Sequence, residues 1–174
     1  MKGLIHIYCG EGKGKTTSAM GLALRFCGTG EKVLIFQFLK QNISSERKSF
    51  CKLSNVTLLK GYSEVKFVKN MTEAEKMAAK AYYNKKFAEI ADIVKQDEYK
   101  MLVLDEMMAA VNYGFVEEDR LIEFLKEKPE ELEVVMTGRN PSEEICEMAD
   151  YITEMKKIKH PYDRGIRARK GIEY

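Results

Sequence analysis

The sequence contains few of the residue types on which metal centres and disulfide frameworks depend. Its 174 residues include no tryptophan, two histidines, three prolines and four cysteines. No two cysteines form a C-x-x-C pair, and His6 and His160 lie far apart, so these spacings argue against a zinc site. We expect the cysteines to be reduced and partly buried, as is usual in a cytosolic chain.

Long hydrophobic runs are also missing. The apolar segment Leu4–Cys9 is too short for the core of a signal peptide, and no segment is long enough to span a membrane. We therefore expect a cytoplasmic protein without a membrane partner. The net charge is only +2, from 29 basic and 27 acidic residues, which gives no general attraction to nucleic acid.

The chain reads as one domain over residues 1–174, because it has no repeat and no proline-rich linker. Apolar segments predict six strands: Leu4–Cys9, Lys32–Phe38, Val56–Lys60, Met101–Leu104, Val134–Thr137 and Tyr151–Met155. Helical periodicity predicts helices at Thr16–Cys27, from the Thr72–Glu75 capping box to about Lys95, at Glu118–Lys126, and from Asn140-Pro141 with proline in the first position. The polar segment Gln41–Phe50 is predicted to be a mobile loop.

A glycine-rich segment follows the first strand and precedes the first helix. It reads Cys9-Gly10-Glu11-Gly12-Lys13-Gly14-Lys15-Thr16-Thr17, close to the phosphate-loop pattern G-x-x-x-x-G-K-[ST], with cysteine where the first glycine is expected. In this context we predict that the loop binds the phosphates of a nucleoside triphosphate. The predicted fold is α/β of the P-loop (RecA-like) type, with a mostly parallel sheet and helices on both faces.

The residue types in the loop suit phosphate and Mg²⁺. Glycines let backbone N–H groups turn inward, Lys15 supplies a charge to phosphate oxygens, and the Thr16 hydroxyl can bind Mg²⁺. Glu11 either points outward or contacts the ribose or base, and Lys13 either offsets it or faces solvent. We assign nucleotide binding to the following residues: Gly10, Glu11, Gly12, Lys13, Gly14, Lys15, Thr16 and Thr17.

A second acidic site follows the apolar strand that ends at Leu104. Asp105 and Glu106 stand where P-loop proteins hold Mg²⁺ or orient water. The alternative is that Asp105 caps a helix through Met107–Val111.

Together these motifs resemble the ATP:corrinoid adenosyltransferases of the CobA/BtuR type, over nearly the whole chain. The matching segments are Gly10–Thr17, Gln37–Lys40, Leu104–Glu106, Asn112–Gly114, Thr137–Arg139, Ala149-Asp150, Thr153–Met155, Lys159–Asp163, Gly165 and Gly171–Tyr174.

The resemblance implies that a reduced Co(I) corrinoid attacks the 5′ carbon of ATP and that triphosphate leaves. It also implies that ATP lies along the loop in a reversed sense, so that the loop stabilises a leaving triphosphate. The implied catalytic residues are Lys15, Thr16, Glu106 and Arg139, and the implied Mg²⁺ ligands are Thr16, Asp105 and Glu106.

Cobalt must first be reduced from Co(II), which implies an electron-donating partner of the flavodoxin type. The family eases this step by excluding the lower axial ligand with aromatic or apolar side chains. Our candidate for that role is Tyr62, with Phe67 as the substitute, because the family's common tryptophan is missing. The alternative is that Tyr62 only packs at a strand end. The N-terminal extension that folds over the site in many relatives is also missing, so either another segment closes the site or the site stays open until corrinoid binds. Relatives often form homodimers, but this sequence shows no stripe of residues that would mark a dimer interface.

Seven basic residues cluster near the end of the sequence: Lys156, Lys157, Lys159, Arg164, Arg167, Arg169 and Lys170. They bind phosphate or corrinoid groups, bind nucleic acid, or form a solvated face. The resemblance favours a tail that folds near the site at His160, Tyr162 and Asp163. No aromatic–basic pattern indicates single-stranded nucleic acid.

Two other functions compete with adenosyl transfer, namely a RecA-like ATPase motor or switch and a non-catalytic nucleotide-binding or delivery module.

Overall fold

The computed structural model describes residues 2–96 and 98–173. Its centre is a sheet of six strands: β1 Ile5–Cys9, β2 Lys32–Gln37, β3 Val56–Leu58, β4 Tyr99–Asp105, β5 Glu133–Thr137 and β6 Tyr151–Glu154. The strand order is β3-β2-β4-β5-β1-β6, and every pairing is parallel. The carboxyl ends of all six strands therefore meet at one edge, where ligand sites of such sheets lie.

In the described part of the chain, six α-helices connect or flank these strands. They are α1 Lys15–Cys27, α2 Ser45–Phe50, α3 Glu73–Gln96, α4 Met107–Asn112, α5 Glu118–Glu127 and α6 Glu143–Met148. Short 3₁₀ turns occur at Val68–Asn70 and Pro161–Arg164.

The sheet has a hydrophobic core on each face, because successive strand residues point to opposite sides. In β2, Val33 packs in the core that contains Ala19 and Ala23 of α1. Its neighbour Leu34 packs in the larger core that contains Tyr83 of α3 and helices α4 to α6. The predicted α/β fold, with a parallel sheet and helices on both faces, is thus confirmed, and here the sheet is entirely parallel.

Helix α3 begins as its sequence predicts. The Thr72 hydroxyl accepts a hydrogen bond from the Glu75 N–H at 3.2 Å, and the Glu75 carboxylate accepts one from the Thr72 N–H at 2.8 Å. These reciprocal bonds are the predicted capping box.

The prediction for the start of α6 was wrong. The helix begins at Glu143, after Pro141, and its N-cap is Ser142, whose hydroxyl accepts from the Ile145 N–H at 3.2 Å. A side chain that satisfies a free N–H at the helix start outweighs the preference of proline for the first position.

The polar segment Gln41–Phe50 is not a loop throughout, because its second half forms α2. Phe50 is buried against the α1 core, and Arg47 donates hydrogen bonds to the Gln37 side chain and to the Leu59 carbonyl. These tertiary contacts stabilise a helix that the local sequence does not suggest.

Three non-glycine residues have left-handed backbone conformations in the described part of the chain. Leu39 (φ 53°), Glu106 (φ 60°) and Asn140 (φ 49°) lie just beyond β2, β4 and β5, respectively. Strained backbone of this kind concentrates at functional sites, and here all three positions lie at the carboxyl edge of the sheet.

Within the described residues, no helix combines the length and the hydrophobicity needed to cross a membrane.

Gly138 provides a test of packing at this edge. Its φ is +148°, and a Cβ atom there would lie 2.5 Å from the Met108 Cβ. We expect Gly138→Ala to lower the free energy of unfolding by about 1–3 kcal/mol, measured by urea denaturation. The control is Gly21→Ala, because a Cβ at that helical position meets no atom within 4 Å apart from its chain neighbours and the nearby helix backbone. It is expected to raise stability by up to about 1 kcal/mol. Equal effects of the two changes would contradict this account.

Candidate functional site

The phosphate loop spans Gly10–Gly14 between β1 and α1, and its conformation depends on glycine. Gly10 and Gly14 have φ values of 100° and 120°, which side-chain-bearing residues rarely adopt. The Lys15 ammonium donates hydrogen bonds to the carbonyls of Gly10 at 2.7 Å and Gly12 at 2.8 Å, so this side chain lies over the loop.

The end of β6 supports the loop from behind. The Gly12 N–H donates to the Met155 carbonyl at 2.5 Å. A Cβ atom on Gly10 or Gly12 would lie within 2.7 Å of that same carbonyl oxygen. Close contact with Met155, the residue that follows β6, therefore explains both glycines.

Cys9, which stands where the phosphate-loop pattern has its first glycine, is the last residue of β1. It is buried, and its carbonyl accepts a hydrogen bond from the Met155 N–H at 2.8 Å. Burial raises the pKa of its thiol. Because Cys9 has ordinary strand geometry, glycine is not required at this position.

Asp105 is the centre of a buried polar network at the end of β4, and its exposure is 0%. One carboxylate oxygen accepts from the hydroxyls of Thr16 at 2.9 Å and Thr137 at 2.7 Å. The other accepts from the Gln37 amide at 3.1 Å and the Lys40 ammonium at 2.6 Å. Burial opposes ionisation, but the Lys40 charge and these hydrogen bonds hold the pKa of Asp105 below its ordinary value. The alternative that Asp105 caps α4 is excluded, because the N-cap is Glu106.

Glu106 follows in a left-handed conformation, and its N–H donates to the Thr137 hydroxyl at 2.9 Å. Burial, and then the neighbouring Asp105 charge, raise the pKa of the Glu106 carboxyl. Burial, and then the charge of Arg139, lower the pKa of Lys15. These mutual effects place Lys15, Glu106 and Arg139 in one electrostatic site.

The two outer charges of the loop have partners. Glu11 forms an ion pair with Arg139 at 3.4 Å, and both side chains are more than half exposed. Lys13 lies 3.9 Å from Glu173 of the C-terminal segment. Glu11 thus points outward, which was one of the two predicted alternatives, and Lys13 contacts the tail.

The donor set suits Mg²⁺ bound together with phosphate. The described residues contain no group of three or more His, Cys, Asp or Glu side chains able to hold a metal by themselves. Mg²⁺ commonly uses one or two carboxylates and completes its shell with phosphate and water. Thr16, Asp105 and Glu106 offer such a set. The Lys40 ammonium, 2.8 Å from the Thr16 hydroxyl, already places a positive charge there.

A cavity of about 890 Å³ opens beside Thr16, Thr17 and Lys40. Its other lining residues are mainly apolar or small, including Met20, Gly21, Leu24, Leu39, Ile43, Phe50, Val65, Phe67 and Ile172. Phe67 is 78% exposed there, and Ile172 belongs to the C-terminal segment. The phosphate site is therefore adjacent to space for a large ligand with apolar surface.

Tyr62 lies in an aromatic cluster. It is half-buried, and its ring centroid lies 4.8 Å from that of Tyr82 and 5.9 Å from that of Tyr83. It is not one of the residues that line the cavity, whereas Phe67 is.

The basic tail is only partly near the loop. Asp163 pairs with Lys157 at 3.0 Å, and Tyr162 is exposed. The segment that lies at the cavity is Gly171–Glu173, which Arg169 holds through its ion pair with Glu173 at 3.0 Å.

The structure brings together Lys15, Thr16, Asp105, Glu106 and Arg139, and it adds three neighbours that the sequence did not single out. Gln37, Lys40 and Thr137 occur in matching segments without an assigned role, yet all three contact Asp105. Polar residues at the end of buried apolar strands were the signal that could have identified Gln37 and Thr137.

Solved structures support the fold. A KaiC-like protein from Pyrococcus horikoshii superimposes with a TM-score of 0.52 at 18% identity, covering 91% of this chain and 75% of that one. The cytoplasmic domain of EssC gives a TM-score of 0.55 at 16% identity, covering 97% of this chain and 34% of that one.

Sequence comparison identifies the family. A family model described as ATP:corrinoid adenosyltransferase BtuR/CobO/CobP matches residues 1–174. Corrinoid adenosyltransferases of a Sinorhizobium species and Pseudomonas aeruginosa are each 32% identical over 99% of this chain, covering 81% and 84% of their lengths. The Escherichia coli K12 enzyme is 30% identical over 99% of this chain and 86% of its own. The chain therefore belongs to the ATP:corrinoid adenosyltransferases, a family of transferase enzymes that adenosylate corrinoids.

Proposed function

We propose that this enzyme transfers the 5′-deoxyadenosyl group of ATP to a reduced Co(I) corrinoid and releases triphosphate. The cobalt electron pair forms a bond to the 5′ carbon as the bond from that carbon to the triphosphate oxygen breaks. The observation that carries the proposal is the position of the Thr16–Asp105 contact, at the phosphate loop and beside a largely apolar cavity. This arrangement offers places for the triphosphate and for a large substrate side by side.

In this proposal the loop residues Gly10–Thr17 hold the leaving triphosphate. The backbone N–H groups and the N-terminus of α1 attract anionic oxygens. Lys15, whose ammonium lies over the loop, supplies a charge that becomes more effective as negative charge develops on the leaving group. Arg139 lies at the outer side of the same site, where its partner Glu11 keeps it oriented.

Thr16, Asp105 and Glu106 are the proposed Mg²⁺ ligands. The bound ion would neutralise part of the charge on the triphosphate. The hydrogen bonds from Thr137 and Gln37 fix the Asp105 carboxylate, so its oxygens need not reorient when the site fills.

We also propose that an electron-donating protein of the flavodoxin type reduces the corrinoid from Co(II), and that an aromatic side chain excludes the lower axial ligand. Phe67 is favoured by its exposed position on the cavity wall. Tyr62 stays a prediction, and its packing against Tyr82 gives it a second, structural role.

The reaction itself is tested with protein, ATP, MgCl₂ and chemically reduced cobalamin. We expect the absorbance of a cobalt–carbon bond to develop while triphosphate accumulates in equal amount. The phosphate released from ATP without corrinoid is measured in parallel. Phosphate release without a spectral change would instead support an ATPase and contradict the proposal.

The role of Lys15 is tested by Lys15→Ala. Loss of the charge that stabilises the leaving group is expected to lower kcat by about 10²–10³-fold. The control is Lys52→Ala, because Lys52 is exposed and lies outside the loop and the cavity lining. Activity of Lys15→Ala within twofold of Lys52→Ala would refute the role.

The lower-ligand role is tested by comparing Phe67→Ala with Tyr82→Ala. Two assays are compared, one that starts from Co(II) corrinoid and the flavodoxin-type electron donor, and one that starts from chemically reduced Co(I) corrinoid. We expect Phe67→Ala to impair adenosylation much more in the first assay than in the second. Tyr82→Ala removes aromatic packing and the hydrogen bond from the Tyr82 hydroxyl to the Lys60 carbonyl. It should affect the two assays equally, because Tyr82 does not line the cavity. Tyr62→Ala is measured beside them. A selective Co(II) defect in Tyr62→Ala with none in Phe67→Ala would assign the role to Tyr62.

A further inference from the structure

Lys40 reaches the buried carboxylate through an unusual turn. After β2, the Phe38 N–H donates to the Asp105 carbonyl at 2.9 Å, which keeps the two chains together. Leu39 then adopts a left-handed conformation, and its N–H donates to the Tyr83 hydroxyl at 3.1 Å. Tyr83 is only 1% exposed, so it is a rigid support for the turn. The chain thereby directs Lys40 toward the site.

The Lys40 ammonium lies between the two groups proposed to bind metal. It is 2.8 Å from the Thr16 hydroxyl and 2.6 Å from the Asp105 carboxylate. A Mg²⁺ ion would need these same oxygen atoms at about 2.0–2.1 Å. Repulsion between two positive charges at such a separation prevents the ammonium and the ion from sharing this position.

The buried carboxylate also needs one of the two cations. A fully buried carboxylate without a positive partner is strongly destabilising. The neutral hydrogen bonds from Thr137 and Gln37 hold the carboxylate in place but bring no charge.

We propose that Lys40 is a tethered cation that fills the metal position of the nucleotide-free enzyme and leaves it when Mg²⁺ enters with ATP. The inference rests on the proposed placement of Mg²⁺ at Thr16 and Asp105. When Mg²⁺ enters without nucleotide, the displaced ammonium has no new anion to pair with. The triphosphate supplies that anion, so metal and nucleotide bind together. Lys40 is thus a positioning residue that couples the two.

The test measures Mn²⁺ binding without nucleotide, from the loss of the free-ion signal in electron paramagnetic resonance. We expect weak binding to the wild type and about tenfold tighter binding to Lys40→Gln, since one competing charge is removed. The gain should disappear in Lys40→Gln combined with Asp105→Asn. Lys52→Gln, an exposed control, should match the wild type.

Lys40→Arg keeps the positive charge, so the affinity of this variant for Mn²⁺ should stay within about twofold of the wild type. Lys40→Arg keeps the inference testable if Lys40→Gln does not fold. Tight Mn²⁺ binding by the wild type or by Lys40→Arg, or no gain in folded Lys40→Gln, would overturn the inference.

A separate titration distinguishes this failure from failure of the proposed function. If ATP promotes Mn²⁺ binding to the wild type, and Asp105→Asn abolishes that binding, the proposed metal site stands whatever Lys40→Gln does. If Asp105→Asn has no effect, the metal site and the Lys40 inference fail together, while the spectral assay of adenosyl transfer still reports on the reaction.

Discussion

The structure of the site depends on one constraint, which is that the Asp105 carboxylate is ionised and fully buried. Water cannot solvate it, so four side chains from α1, from β2 and the turn after it, and from β5 provide its hydrogen bonds. Each of these elements is thereby held in register at the carboxyl edge of the sheet. A buried network of this kind defines one arrangement, because any displaced partner leaves a costly unsatisfied group.

The same constraint accounts for the strained backbone around the site. Leu39 and Glu106 take left-handed conformations just beyond β2 and β4, the strands that carry Gln37 and Asp105. The turn at Leu39 is supported by the buried Tyr83 hydroxyl, and the turn at Glu106 by the Thr137 hydroxyl. Burial raises the pKa of Tyr83 to about 12, so its hydroxyl stays protonated and neutral. Strain of about 1–3 kcal/mol at each position is retained because the surrounding packing over-determines it.

Local sequence predicted most of the fold. Apolar runs located all six strands, and the Thr72–Glu75 pattern identified the start of α3. Both features depend on residues that are close together in the sequence. Helix α2 was not predicted, because the contacts that stabilise it are made by Phe50 and Arg47 with elements distant in sequence. The predicted start of α6 was wrong, because the Ser142 side chain caps the helix and sets its first residue.

In the candidate site, too, contiguous motifs could be predicted from the sequence, whereas contacts between distant segments could not. The loop and Asp105–Glu106 could be found because their motifs are contiguous. The role of Lys40 could not, since it depends on a left-handed turn and on a hydroxyl of α3 more than forty positions away. Phe67 and Gly171–Glu173, on the cavity wall, likewise come from segments distant in sequence, whose meeting no local pattern records.

The phosphate loop by itself does not decide between hydrolysis and transfer to carbon. Loop amides and Lys15 stabilise charge on phosphate oxygens in either reaction, so their effect is the same whichever bond breaks. What differs is the nucleophile that the surroundings admit. A hydrolase needs an ordered water at the terminal phosphate, whereas the proposed transferase needs a large reduced substrate at the far end of the nucleotide. Although Gln41, Glu46 and Lys66 also line the cavity, much of its lining is apolar, with Phe67 exposed on the wall. It suits the burial of extended apolar surface, which favours the second arrangement.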